Sequence, residues 1–138
     1  MLFHASCVSV DDRAVLIQGK SGSGKSALAL ELLAFGAKLV ADDMTEVIAP
    51  DGWPIAQSPS VTTRGLVEAR GVGLLSVAPA SPARLHLVVD LNHTETARLP
   101  PERFADILGQ RMPLLHKVES LHFGPAILQY LKGGRAQV

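Results

Sequence analysis

The residues with the most chemistry in this chain are Gly19-Lys20-Ser21-Gly22-Ser23-Gly24-Lys25-Ser26. They match Gly-x-x-x-x-Gly-Lys-Ser without a gap, between a predicted strand and a predicted helix. That is the context a phosphate-binding loop (P-loop) needs. The glycines let successive backbone N–H groups point into one concavity that fits phosphate oxygens. The N-terminus of the helix that follows adds partial positive charge at the same place. Lys25 is spaced to reach the β- and γ-phosphates of a nucleoside triphosphate. The Ser26 hydroxyl is spaced to ligate Mg²⁺, a hard ion that takes oxygen ligands. Lys20 reads either as a further phosphate contact or as a solvated loop lysine.

Two groups of carboxylates follow. Asp42-Asp43 comes directly after the run Leu39-Val40-Ala41, one helix and one strand beyond Lys25. Adjacent acids at a strand end face one cavity together only if the backbone turns. Phosphoryl transfer uses such a pair, one carboxylate to orient or deprotonate the nucleophile and one group to hold metal. Further on stands Glu68-Ala69-Arg70-Gly71-Val72-Gly73. In an extended segment Glu68 and Arg70 share a side, which suits Glu68 to Mg²⁺ and Arg70 to phosphate charge; a surface ion pair is the competing reading. His86 and His93 flank a strand that carries Asp90, and nothing in their spacing fixes a converging ligand set. His116 and His122 read as solvated or core residues in the same way, and no Cys/His spacing suggests zinc.

The elements that must position these groups are short. Phe3 to Val10 reads as a strand, Asp11-Asp12 as a turn and Ala14 to Gln18 as the returning strand. Ser26 to Phe35 has helix-forming residues and an apolar face, with Gly36 as its stop. Lys38 to Ala41 and Thr45 to Ala49 read as extended, Asp51-Gly52 as a hairpin turn and Trp53 to Ala56 as its second arm. Ser58 to Arg70 is broken by Pro59 and Gly65 and reads as a loop with a helical turn. Val72 to Val77, Leu85 to Leu91 and Met112 to Val118 read as strands. Pro100-Pro101 opens an expected helix to about Leu108, and Phe123 to Leu131 is expected as the last helix. Strands joined by tight turns predict an α/β domain with a mixed sheet, one domain over residues 1–138.

Composition bounds the function. Thirteen basic residues balance thirteen acidic ones, and a dedicated nucleic-acid binder needs a basic face. Zero net charge also leaves self-association unopposed by repulsion. Hydrophobic residues make up 47% of the chain, enough for a core, but no apolar run approaches the length of a membrane helix. A single cysteine, Cys7, reads as a small buried hydrophobe and suits a reducing compartment. With no recognisable signal peptide, the expected location is the cytoplasm.

In this order the residues resemble the catalytic C-terminal domain of HPr kinase/phosphorylase, the serine kinase of the bacterial phosphotransferase system. The resemblance rests on His4, Gly19 to Ser26, Val40-Ala41-Asp42-Asp43 and Glu68-Ala69-Arg70-Gly71-Val72-Gly73, which is similar to the family's Glu-x-Arg-Gly-x-Gly signature. Leu87-Val88-Val89 and Arg98-Leu99 align in the same order. The resemblance implies a phosphoenolpyruvate-carboxykinase-like fold, ATP and Mg²⁺, a homohexamer, and transfer to a serine of the carrier protein HPr. It implies that Asp42 takes the serine proton, that Lys25 and the backbone of Gly19 to Gly24 hold phosphates, that Ser26 with Asp43 or Glu68 serves the metal, and that His4 lies near the carboxylates. Arg98 is the match for a phosphate-handling arginine.

The chain departs from the family at Ala27 and Met44, in a short segment between Gly73 and Leu85, and at Glu119 to Gly124, where His122 stands instead of an arginine; the family's N-terminal domain is not in this sequence. These departures speak for the forward kinase reaction over phosphorolysis of phospho-HPr. The expectation is an ATP- and Mg²⁺-dependent serine kinase acting on HPr. Two alternatives remain: a small-molecule kinase on the same scaffold, and a nucleotide-sensing module without catalysis. Intact acids at Asp42, Asp43 and Glu68 count against the latter.

Overall fold

The computed structural model describes residues 1–137. Its elements in order are β1 (Leu2–Phe3), β2 (Ala5–Val10), β3 (Arg13–Gln18), α1 (Lys25–Ala34), β4 (Lys38–Ala41), β5 (Thr45–Ile48), β6 (Ile55–Gln57), β7 (Leu66–Ala69), β8 (Gly73–Ser76), β9 (Ala83–Thr94), β10 (Phe104–Ile107), β11 (Gln110–Lys117) and α2 (Phe123–Gly133). The main sheet runs β1-β5-β6-β9-β3-β2-β4, with β11 parallel to β9 and β10 antiparallel to β11. At its centre β3 is antiparallel to β2 and parallel to β9. The mixed sheet expected from the tight turns is present. β7 and β8 form a separate two-stranded sheet.

Central strands are apolar on both faces, because both faces are covered. Alternate residues divide between two clusters. Val8, Val15, Ile17, Leu87 and Val89 pack with Leu32 of α1 and Ile127 and Leu131 of α2. Cys7, Leu16 and Val88 pack in the other cluster with Val47 of β5, Ala56 of β6, Ile107 of β10 and Met112 of β11. Burial pushes the Cys7 thiol far above its ordinary range, so it is a core atom and not a nucleophile.

Local signals set the turns. Asp11 and Asp12 both take positive φ, 52° and 59°, in the tight β2–β3 turn. Gly36 at φ 105° ends α1, where the Ala37 N–H returns to Leu32 O at 3.1 Å.

Two expectations were wrong. Residues 100–108 are not helical: Phe104–Ile107 is a strand paired with Gln110–Pro113. Leu108 and Gly109, with φ of 51° and 84°, form its hairpin turn, so the prolines precede a strand instead of opening a helix. The stretch from Ser58 to Arg70 contains β7 as well as the expected turn. Val67 of β7 reaches the α1 side of the core, and that contact decided a segment whose Pro59 and Gly65 suggested a loop. Among the described residues no helix is long and apolar enough to cross a membrane.

Candidate active site around the phosphate loop

The loop between β3 and α1 is built to be tight. A Cβ on Gly19 would lie 2.3 Å from Ser23 Oγ and 3.2 Å from Leu91 Cβ, so a larger residue would push the loop apart. Gly24 takes a left-handed conformation, φ 101°, at the N-cap of α1. No side chain caps this helix end and no acidic residue sits in its first turn. Its leading N–H groups therefore lack a side-chain cap from the helix itself. Lys25 is only 8% exposed, and its ammonium is satisfied by the carbonyls of Gly19 and Lys20 at 2.7 and 3.2 Å. Lys20 is exposed, and its backbone N–H donates to Asn92 Oδ1 at 2.9 Å.

The acid pair diverges. The Met44 N–H bonds back to Asp42 O at 2.7 Å across a three-residue turn whose middle residue, Asp43, has φ 66°. Such a turn is strained for a residue with a side chain. It breaks strand alternation and points neighbouring carboxylates to different partners. Asp42 Oδ1 accepts from Ser26 Oγ at 2.8 Å and from Ser6 Oγ at 2.6 Å, and its Oδ2 accepts the Glu68 N–H at 3.0 Å. Asp43 is exposed, with Oδ1 3.1 Å from His4 Nε2.

These groups line a cavity of about 540 Å³ formed by His4, the loop, Asp43, Glu68, Arg70 and Val72. Glu68 and Arg70 share one side of the β7–β8 hairpin, as their spacing required. The structure thus gathers His4, Gly22, Gly24, Lys25, Ser26, Asp43 and Glu68 about one opening, with Asp42 behind them. Arg98 is not brought there: it sits in an exposed bend after β9 and is not among the lining residues. In chemical terms the donor set of the Ser26 hydroxyl and the carboxylates of Asp42, Asp43 and Glu68 is all oxygen, which fits Mg²⁺.

Sequence reasoning missed two participants. Ser6 is fully buried and binds Asp42; its signal was a polar residue within an otherwise apolar strand, two positions after His4. Asn92 caps the loop from β9, and no local pattern marks it.

Comparison with known proteins gives the family of the chain. The family model described as HPr Serine kinase C-terminal domain matches residues 1–105. The HPr kinase/phosphorylase of Clostridium botulinum strain Eklund 17B is 42% identical over 74 residues, covering 54% of this chain and 24% of its own length. That of Streptococcus thermophilus strain LMD-9 is 38% identical over 99 residues, covering 67% of this chain and 32% of its own. The chain therefore spans a quarter to a third of these relatives. The solved HPr(Ser) kinase/phosphatase of Coxiella burnetii superposes with a TM-score of 0.77 at 25% identity, covering 96% of this chain and 88% of that one. Such coverage includes most of the chain beyond residue 105. With the family model matched over so much of its length, this chain belongs to the HPr serine kinase C-terminal domain family.

Proposed function

We propose that this chain is an ATP- and Mg²⁺-dependent serine kinase whose acceptor is an HPr-type phosphocarrier protein. The observation that carries the reading is the bond from Ser26 Oγ to Asp42 Oδ1 at 2.8 Å, beside an Asp43 that opens on the cavity. A loop serine joined to a downstream aspartate is the arrangement that holds Mg²⁺ on a triphosphate. Ser26 and Asp42 would hold the ion, with Glu68 at its edge. The ion would supply charge neutralisation on the phosphates.

The two aspartates then divide the work differently from what the family resemblance implied, which made Asp42 the base and gave Asp43 to the metal. Asp42 accepts two hydroxyl protons on one oxygen and an amide on the other, so it has little capacity left to take a proton from an acceptor. Asp43 has an open face, and His4 orients its carboxylate. We assign Asp43 as the base that takes the acceptor serine proton. Lys25 and the loop amides would stabilise charge on the transferred group, with Lys25 exchanging its two carbonyls for phosphate oxygens. Arg70 lines the cavity and is better placed than Arg98 for the phosphate.

The sheet order, with β3 between an antiparallel and a parallel neighbour, supports the phosphoenolpyruvate-carboxykinase-like reading of the fold. The hexamer that the family resemblance implies is tested by light scattering on a sizing column. Residues 1–138 are then a cytoplasmic catalytic domain.

The deciding experiment is transfer from γ-labelled ATP to HPr of the same genome. Label on an HPr serine is expected, lost in Asp43→Asn and retained in part by Asp42→Asn at high Mg²⁺. Near-full transfer by Asp43→Asn would return the base role to Asp42. Label on a small molecule and none on HPr would move the acceptor.

A further inference from the structure

β9 does not run straight past β11. Val88, Val89 and Asp90 pair with Leu114, Leu115 and His116, and the next pair is Thr94 with Lys117. Leu91, Asn92 and His93 are left over on β9, a bulge that bends the strand and re-aims its side chains. The Asn92 N–H folds onto Asp90 Oδ1 at 2.8 Å, and His93 returns over the bend until its Nδ1 is 2.8 Å from Asp90 Oδ2. On the neighbouring strand, His116 is the register partner of Asp90, and its ring stacks on that of His93 with centroids 5.2 Å and planes 28° apart. One ligand atom from each of Asp90, His93 and His116 lies within 4.8 Å of the other two.

We propose that Asp90, His93 and His116 bind a divalent transition metal ion of the zinc class. Two imidazoles and one carboxylate form a donor set of borderline softness, unlike the all-oxygen set at Ser26 and Asp42. A tetrahedral ion about 2.1 Å from each ligand needs donor atoms about 3.4 Å apart. Donors within 4.8 Å of one another are in range of that spacing by side-chain rotation, with the His93–Asp90 pair opening from 2.8 Å. His93 has room to rotate, since its side chain is 67% exposed. The bond from the Asn92 N–H fixes Asp90 through Oδ1 and leaves Oδ2 for the metal, the outer support that metal-binding carboxylates use. Three protein ligands leave a position open for water.

The bulge touches the phosphate loop through Leu91, which lies against Gly19, and through Asn92. Asn92, inside the bulge, accepts the Lys20 N–H. An ion that holds the bulge therefore also holds one anchor of the loop, and by linkage metal and nucleotide change each other's affinity by the same factor.

The test is titration of the intact chain with Zn²⁺ by calorimetry and with Co²⁺ by visible absorption, in excess Mg²⁺. The expected result is one equivalent bound, with tetrahedral Co²⁺ bands. His93→Ala and His116→Ala should each weaken binding about 10-fold or more. Melting temperatures in chelator show whether each variant is folded, and the exposed His93 decides the matter if His116→Ala is not. The proposal is overturned if the bands survive His93→Ala but vanish in His4→Ala, which puts the ion in the phosphate-loop cavity. Binding no tighter than in the His93→Ala, His116→Ala double variant overturns it as well. These readouts are binding alone, so failure of the kinase assignment leaves them standing.

Discussion

Two histidine–aspartate pairs stand next to the phosphate loop, and they are made in different ways. His4 and Asp43 meet at 3.1 Å because β2 and β4 are neighbours in the sheet and the chain after β4 turns through a strained left-handed residue. His93 and Asp90 meet at 2.8 Å because β9 bulges and folds back on itself. The first pair opens on a cavity beside the helix N-terminus that offers cationic side chains for phosphate and oxygen donors for a hard ion. The second is joined by another imidazole and suits a softer ion. What the contrast teaches is that the pair itself does not carry a function. The neighbours do, and in both places a departure from regular strand geometry chooses them.

The largest expected effect separates the carboxylates within the first site. General-base catalysis contributes roughly 10²- to 10⁴-fold, so Asp43→Asn should lower transfer by about that factor with nucleotide affinity little changed. Asp42→Asn should instead weaken Mg²⁺-assisted nucleotide binding by roughly 10- to 100-fold or more, since the group lost both faces the ion and holds the metal serine. The labelled-transfer assay, with fluorescent-nucleotide titrations at several Mg²⁺ concentrations, checks both. Equal effects of the two substitutions on both readouts would erase the division of labour.

A smaller effect tests the bridge between the two sites. Asn92→Ala leaves the Lys20 N–H without its side-chain acceptor, a loss of about 1 kcal/mol or ~5-fold. It should appear as weaker nucleotide affinity, and, if the second site binds metal, as a smaller effect of Zn²⁺ on that affinity. An unchanged affinity would make the sites independent.

The smallest effect lies past the second pair, where β9 ends. Glu95 binds Arg103 through both oxygens, at 3.0 and 3.1 Å, and accepts the N–H groups of Thr96 and Ala97. The Arg103 hydrogen bonds, then the Ala97 N–H, hold the Glu95 carboxyl down at about 2. A depressed carboxylate stabilises the fold above its unfolded pKa, near 4.3, and the contribution is lost as pH falls towards 2. Glu95→Gln should therefore lower the melting temperature by a few degrees at neutral pH, and the difference should shrink between about pH 4.5 and 2. A pH-independent difference would mean packing, not charge, is what Glu95 supplies.

Much of the first site was legible because its signals are local. A glycine pattern, a lysine and a serine adjacent in the chain must fall at one helix end wherever that helix packs. Asp42-Asp43 and Glu68-x-Arg70 were legible as candidates, since strand ends and strand alternation are short-range properties. The split between the aspartates was not, because it depends on one turn at Asp43 and on Ser6, Ser26 and Glu68 arriving from three other segments. Arg98 illustrates the converse: its position in the order of motifs suggested the phosphate, and the bend after β9 leaves it exposed elsewhere. The helix expected at 100–108 failed for a related reason, since pairing of Phe104–Ile107 with β11 outweighed the local preference of Pro100-Pro101.

By itself, then, the sequence determined the phosphate loop, the apolar runs that form the central strands, the two helices and the tight turn at Asp11-Asp12. Each follows from residues within a few positions of one another, where backbone conformation and side-chain spacing act directly. Only the tertiary structure decided which oxygen of Asp42 meets which serine, that Asp43 faces the cavity, and that His93 and His116 converge on Asp90. Those contacts join residues far apart in the chain or set by a bulge, and their geometry exists only after strand register is fixed.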